Sequence, residues 1–173
     1  MNTISEQLSD PRYDYISCAD KEFIVHFDEE MEGKGYSTGG IITPGYAGAP
    51  ARGRYLLIYA KVGVKSKQVA ARIYCTDSGV ILRLFLNSID KHAAFIESAP
   101  EHIRAVFGSG IGDCHHCESR PDGVCKFRKT YTLNGKSHEK CDGEVFQFFN
   151  PDVKKLPAYM DLFCEFYHVR KKR

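Results

Sequence analysis

The sequence predicts an α+β protein: an antiparallel β-meander packed by helices, with a zinc-ribbon-like four-cysteine segment toward the C-terminus. Three observations lead there. Residues 54–62, 68–76 and 79–86 are rich in Tyr, Ile, Val and Leu and are separated by turn residues. Apolar residues at helical spacing lie on both sides of that stretch, and four of the seven cysteines fall between Cys114 and Cys141.

The chain has 173 residues, 43% of them hydrophobic, with 10 Tyr and 11 Phe, enough for a real core. A formal charge of +2 is nearly balanced and gives no general pull toward nucleic acid or anionic lipid. The first residues carry no basic stretch followed by an apolar run, so a secretory signal is not expected. No apolar run approaches a membrane span. Seven cysteines is an odd number for a disulfide framework, and a reduced, cytoplasmic setting is the expectation.

In chain order, residues 1–19 are polar and broken by Pro11. Asp20 is the expected cap of a helix carrying Phe23, Ile24, Phe27 and Met31 on one face. Its acidic end, with Glu29, Glu30 and Glu32, is opposed by the helix dipole. Gly33 to Gly53 is rich in glycine and reads as a long loop or flap with strand fragments near Ile41-Ile42. It lacks the Gly-Lys-Ser/Thr ending of a phosphate-cradling loop.

In the meander, alternation assigns Leu56, Ile58, Val62, Val69, Ala71, Ile73, Cys75, Val80, Leu82, Leu84 and Leu86 to one face. The other takes Tyr55, Tyr59, Arg72, Tyr74, Ile81, Arg83 and Phe85. Asn87 or Ser88 then starts a helix through Ile96, and Pro100 starts another through Phe107 that Gly108 ends. The glycines of 108–112 follow a helix rather than a strand, so they are no dinucleotide fingerprint. A hairpin is signalled at Asn134-Gly135, a strand at Glu144–Phe149, and a closing helix from Pro157 with Tyr159, Met160, Phe163, Phe166 and Tyr167 as its apolar stripe. The basic tail Arg170 to Arg173 complements that helix end.

Two constellations carry chemistry. The first is Cys114, Cys117, Cys125 and Cys141. Cys114-His-His-Cys117 has the spacing with which two thiolates bind one tetrahedral Zn²⁺ from a tight turn, and the later cysteines each adjoin a turn. The favoured reading is a closed, structural zinc site. A redox Cys-x-x-Cys wants a strand before it and a helix after it, and leaves two cysteines unexplained; unligated thiols are the remaining possibility. His115, His116 or His138 is a candidate to replace one cysteine. Between residues 114 and 141 six Lys/Arg stand against three Asp/Glu. A tetrathiolate zinc centre of formal charge −2 offsets most of that excess, so nucleic-acid binding is only weakly supported.

The second constellation comes from register. A tight turn at Asp77-Ser78 pairs Cys75 with Val80 and Ile73 with Leu82, which sets Arg72 opposite Arg83. Like charges facing across strands need compensation. That is either a carboxylate lying over the face, or a bound anion held by Arg72, Arg83, Tyr59 and Tyr74.

The run Asp122-Gly-Val-Cys-Lys-Phe-Arg-Lys-Thr-Tyr131, with Lys140-Cys-Asp-Gly-Glu-Val-Phe146 and the pair Phe166-Tyr167, resembles a group of small uncharacterised bacterial proteins with a four-cysteine C-terminal segment. The similarity reaches back through Ala71-Arg72-Ile73 and Leu82-Arg83-Leu84. It implies a zinc-type cysteine site in a bacterial cytosolic protein and no particular activity.

The expected organisation is a sheet-and-helix region over 1–110 and a four-cysteine segment with closing helix over 111–173, forming one unit. The expected function is a zinc-stapled binding or regulatory module for an anionic small molecule or partner protein. The alternative is an enzyme with a pocket between the Arg/Tyr face and the glycine-rich loop; no nucleophile–base set is evident.

Overall fold

The computed structural model describes residues 2–48, 52–117 and 122–167. In chain order the elements are α1 (Ile4–Gln7), α2 (Cys18–Gly33), β1 (Tyr36–Ser37), β2 (Thr43–Pro44), β3 (Tyr55–Lys61), β4 (Val69–Thr76) and β5 (Gly79–Leu84). They continue with α3 (Ala93–Ser98), α4 (Glu101–Gly108), β6 (Arg128–Leu133), β7 (Lys136–Cys141), β8 (Gln147–Phe149) and α5 (Leu156–Phe166). The class is α+β with antiparallel sheets. No described helix is long and apolar enough to cross a membrane. The basic tail from Arg170 lies outside the described residues.

The chain folds as two compact units, Met1–Phe85 with Phe148–Arg173, and Leu86–Gln147. The expected division at residue 110 is therefore displaced. The helices after the sheet join the cysteine segment, and the closing helix returns to the sheet.

In the first unit the strands run in the order β1-β3-β4-β5-β8, with β2 also pairing β3. Ser17, rather than Asp20, caps α2, its side chain accepting from the Asp20 N–H at 3.1 Å. The acidic C-terminal end of that helix is relieved by Lys34, whose Nζ lies 2.6 Å from Glu30. Phe23, Ile24, Phe27 and Met31 are fully buried, as the stripe predicts. The glycine-rich segment hems the sheet instead of hanging free. Tyr36 pairs with Lys61 and Thr43 with Leu56, so both ends of its first part are tied to β3. Gly53 is needed where it stands: its φ is +84°, and a Cβ there would meet the Cys75 carbonyl oxygen at 2.7 Å.

The β4–β5 register is the expected one, with Cys75 opposite Val80, Ile73 opposite Leu82 and Arg72 opposite Arg83. The phase of β3 is a correction. Leu56 pairs with Tyr74 and Ile58 with Arg72, whereas Tyr59 pairs with Ala71. Tyr55, Leu57 and Tyr59 thus share the inner face with Ile73 and Leu82, and Leu56 and Ile58 lie on the arginine face. The cause is the unbroken apolar run Leu56–Tyr59, which offers no alternation to fix the phase, and a bulge between Tyr59 and Ala60. Tyr59 packs edge-on to Phe27 with ring centroids 5.2 Å apart. On α5, Tyr159 meets Phe23 at 6.1 Å and Phe163 meets Tyr36 at 5.0 Å.

In the second unit a 3-10 turn at Ile89–His92 leads into α3 and α4, and β6–β7 form the hairpin signalled at Asn134-Gly135. Both turn residues have positive φ, 48° and 73°, as a tight two-residue hairpin requires. Its core gathers Ile96, Ile103, Phe107, Tyr131, Leu133, Val145 and Phe146. The Tyr131 hydroxyl donates to the Phe107 carbonyl at 2.7 Å. The strand expected from Glu144 begins only at Gln147, because Phe146 takes a φ of +56° to turn its ring toward Phe107 and Tyr131.

Candidate metal centre

Three separate segments carry the four cysteines of the second unit. Cys114 and Cys117 follow α4, Cys125 precedes β6 by a turn, and Cys141 ends β7. Backbone pairing draws them together. The Cys114 N–H donates to the Glu139 carbonyl at 2.9 Å, and the Cys141 N–H to the Gly112 carbonyl at 2.8 Å, so residues 112–114 run alongside β7. Gly112 has φ +75°, and a Cβ there would come within 3.1 Å of the Glu144 carbonyl oxygen. Before Cys125 the Asp122 side chain accepts from the Val124 N–H at 3.1 Å, closing a tight turn.

The result is a cleft of about 540 Å³ lined by all four cysteines together with His115, Phe127, Arg128, Gly143 and Glu144. The thiols converge without closing. Among the described residues no three His, Cys, Asp or Glu side chains stand close enough to hold a metal ion. A zinc tetrathiolate would bring the sulfurs to about 3.8 Å from one another, given Zn–S bonds of about 2.3 Å. The donor set fits zinc in kind and number, and the cleft is wider than a closed shell.

The histidines separate cleanly. His115 lines the cleft. His116, at φ +49°, has its Nε2 2.5 Å from Glu139 Oε2. His138 stacks on Tyr131 at 5.3 Å and lines a different cavity of about 300 Å³ with Glu97, Arg104 and Lys136. Only His115 is therefore placed to stand in for a cysteine.

Much of the basic excess is spent inside the unit. Arg128 donates from Nε to Cys114 Sγ at 3.3 Å. Together with a backbone N–H bond at His116, it holds the Cys114 thiol below its ordinary value. Lys140 is 1% exposed and donates to the carbonyls of Ser109 and Ile111 and, at 2.5 Å, to Asp113. Lys129 reaches the Leu86 carbonyl at 2.9 Å and Asp142 at 3.1 Å. The exposed apolar residues nearby are Ile111, Val124 and Phe127, the last with Lys126 over its ring at 5.0 Å. Sequence reasoning missed Arg128, Lys129 and Lys140. For the lysines the signal was parity: on β6 and β7 both share the inward face with Tyr131 and Leu133, whereas Arg128 lies on the other face.

The arginine site of the first unit is only partly as expected. Arg72 and Arg83 face one another, and their guanidinium carbons lie 5.2 and 4.5 Å from the Phe85 ring. Tyr74 shares their face and is 4% exposed. Tyr59 does not belong to the site, being fully buried on the opposite face. Arg83 is 5% exposed, whereas Arg72 is half-buried, with its Nε enclosed and lacking a hydrogen bond among the described residues. The inner face has its own polar pair. Burial pushes the Asp28 carboxyl up to about 6, the nearby Tyr59 hydroxyl opposing the shift, and burial likewise raises Tyr59.

Searches against family models, curated proteins and solved structures return no match to this chain.

Proposed function

We propose that the protein is a zinc-stapled binding module. Cys114, Cys117, Cys125 and Cys141 hold one structural Zn²⁺, and an arginine pair on the sheet of the first unit recognises an anionic group. The observation that carries this reading is the convergence of four cysteines from three segments on one cleft. A closed thiolate shell fills all four zinc positions and leaves none for substrate, so the metal's task is to hold the segments together. On the sheet, support comes from Arg72, which lacks a carboxylate within ion-pair distance among the described residues and keeps part of its side chain in solvent. Arg83 and Tyr74 share its face and are buried. A phosphate or carboxylate group on a small molecule or partner suits a guanidinium in that position.

Metal analysis of protein purified without chelator tests the staple. One equivalent of zinc is expected, falling sharply in Cys141→Ser, with a lowered melting temperature after chelation. Well under one equivalent in the native protein would sink the assignment. Full retention in Cys141→Ser would hand the fourth position to His115.

A further inference from the structure

We infer that Arg128 is the positioning residue of the four-cysteine site, bridging the Cys114 sulfur to the turn that carries Cys125. This rests on the metal reading above and goes further, because it names what holds the segments in place besides the metal.

Arg128 is the first residue of β6 and adjoins three of the four cysteines. Its backbone N–H donates to the Cys125 carbonyl at 3.1 Å, its Nε to Cys114 Sγ at 3.3 Å, and its cross-strand partner is Cys141. The fork's other arm, Nη1, donates to the Gly123 carbonyl at 3.2 Å. One planar group thus ties the loop after α4 to the turn before β6. A lysine ammonium, a point charge on a flexible stem, has no such fixed fork. Charge points the same way. Four thiolates around Zn²⁺ carry a formal −2, and a guanidinium donating into a ligand sulfur offsets part of it where the ligand needs it.

The test compares wild type, Arg128→Met and Arg128→Lys, each stripped of metal and titrated with Co²⁺ and Zn²⁺. Affinity is read by competition with a chromophoric chelator, and the sulfur-to-cobalt absorption reports the thiolate shell. Arg128→Met is expected to lose about 10–100-fold in affinity, as for other outer-shell partners, with an altered cobalt spectrum. Arg128→Lys should recover only part of the loss. A purely structural arginine would lower stability of the metal-free and loaded forms alike and leave the spectrum unchanged, which overturns the inference. So does an Arg128→Met affinity within twofold of wild type. If Arg128→Met does not fold, Arg128→Lys decides, and wild-type affinity there overturns the bridging role. If wild type itself binds neither ion, the four-cysteine reading fails with it, an outcome distinct from the others.

Discussion

Each unit contains a pair of like charges facing across antiparallel strands, and the contrast between them lies at Arg72. In the second unit Lys129 stands opposite Lys140, and each has its own carboxylate: Asp142 at 3.1 Å and Asp113 at 2.5 Å. In the first, Arg72 stands opposite Arg83 and both lean on the Phe85 ring. A carboxylate cancels charge, whereas the aromatic face under Arg72 contributes only about 0.5–2 kcal/mol and leaves that cation a cation. The lysines are therefore neutralised where they stand, and Arg72 is the cation of the four whose charge a bound anion would offset under the proposed reading. The contrast follows size. The inserted unit spans only about 60 residues, a length at which an apolar core rarely suffices alone. Its small cluster of Phe107, Tyr131 and Phe146 is supplemented by the two pinned lysines, where the first unit has the larger aromatic layer of Phe23, Phe27, Tyr59 and Phe163.

The largest effect that would break this contrast lies at Lys140. Replacing it with Met leaves the Ser109 and Ile111 carbonyls without their buried donor. Chemical denaturation of Lys140→Met should show a loss of about 3–5 kcal/mol. A loss below about 1 kcal/mol would mean the unit does not depend on its pinned cation.

A smaller effect belongs to Asp28, a buried carboxyl facing a tyrosine instead of a cation. Its value is raised in the folded state, from 3.8 to about 6. Its contribution is therefore fully present below the unfolded value and is lost as pH rises through about 6. Stability of Asp28→Asn relative to wild type should accordingly grow between pH 4 and pH 7, by up to about 3 kcal/mol. A pH-independent difference in urea denaturation would show that Asp28 titrates normally.

The smallest effect sharpens the arginine pair. Arg72→Ala should cost under about 1 kcal/mol and weaken inorganic phosphate binding, while Arg83→Ala, emptying a buried site, should cost several times more. Equal costs, with phosphate binding untouched, would make both arginines structural.

How much of this was legible depends on where the pattern was unambiguous. The β4–β5 register was readable because the Asp77-Ser78 turn and two alternating strands admit one alignment. The hairpin at Asn134-Gly135 was readable from turn chemistry alone. The phase of β3 was not, since Leu56 to Tyr59 are apolar without interruption, and so Tyr59 was assigned to the wrong face. The spacing of Cys114 and Cys117 pointed to a shared ligand site; the four cysteines line one cleft, but among the described residues no group is close enough to hold a metal. The fork of Arg128 had no sequence signature, because its meaning depends on which loop folds over it.

One feature of the sheet bears on its assembly. The chain leaves it after β5 and comes back as β8, yet these two strands are neighbours. The link between them is the whole inserted unit, where β4 and β5 need only Asp77 and Ser78. Closure entropy rises by about 0.6 kcal/mol for each doubling of loop length, so the longer link costs about 3 kcal/mol more if it closes as loose chain. An insert that has already folded presents a far shorter effective tether. The final strand of the sheet is thus the one whose pairing is governed by residues that never enter the sheet.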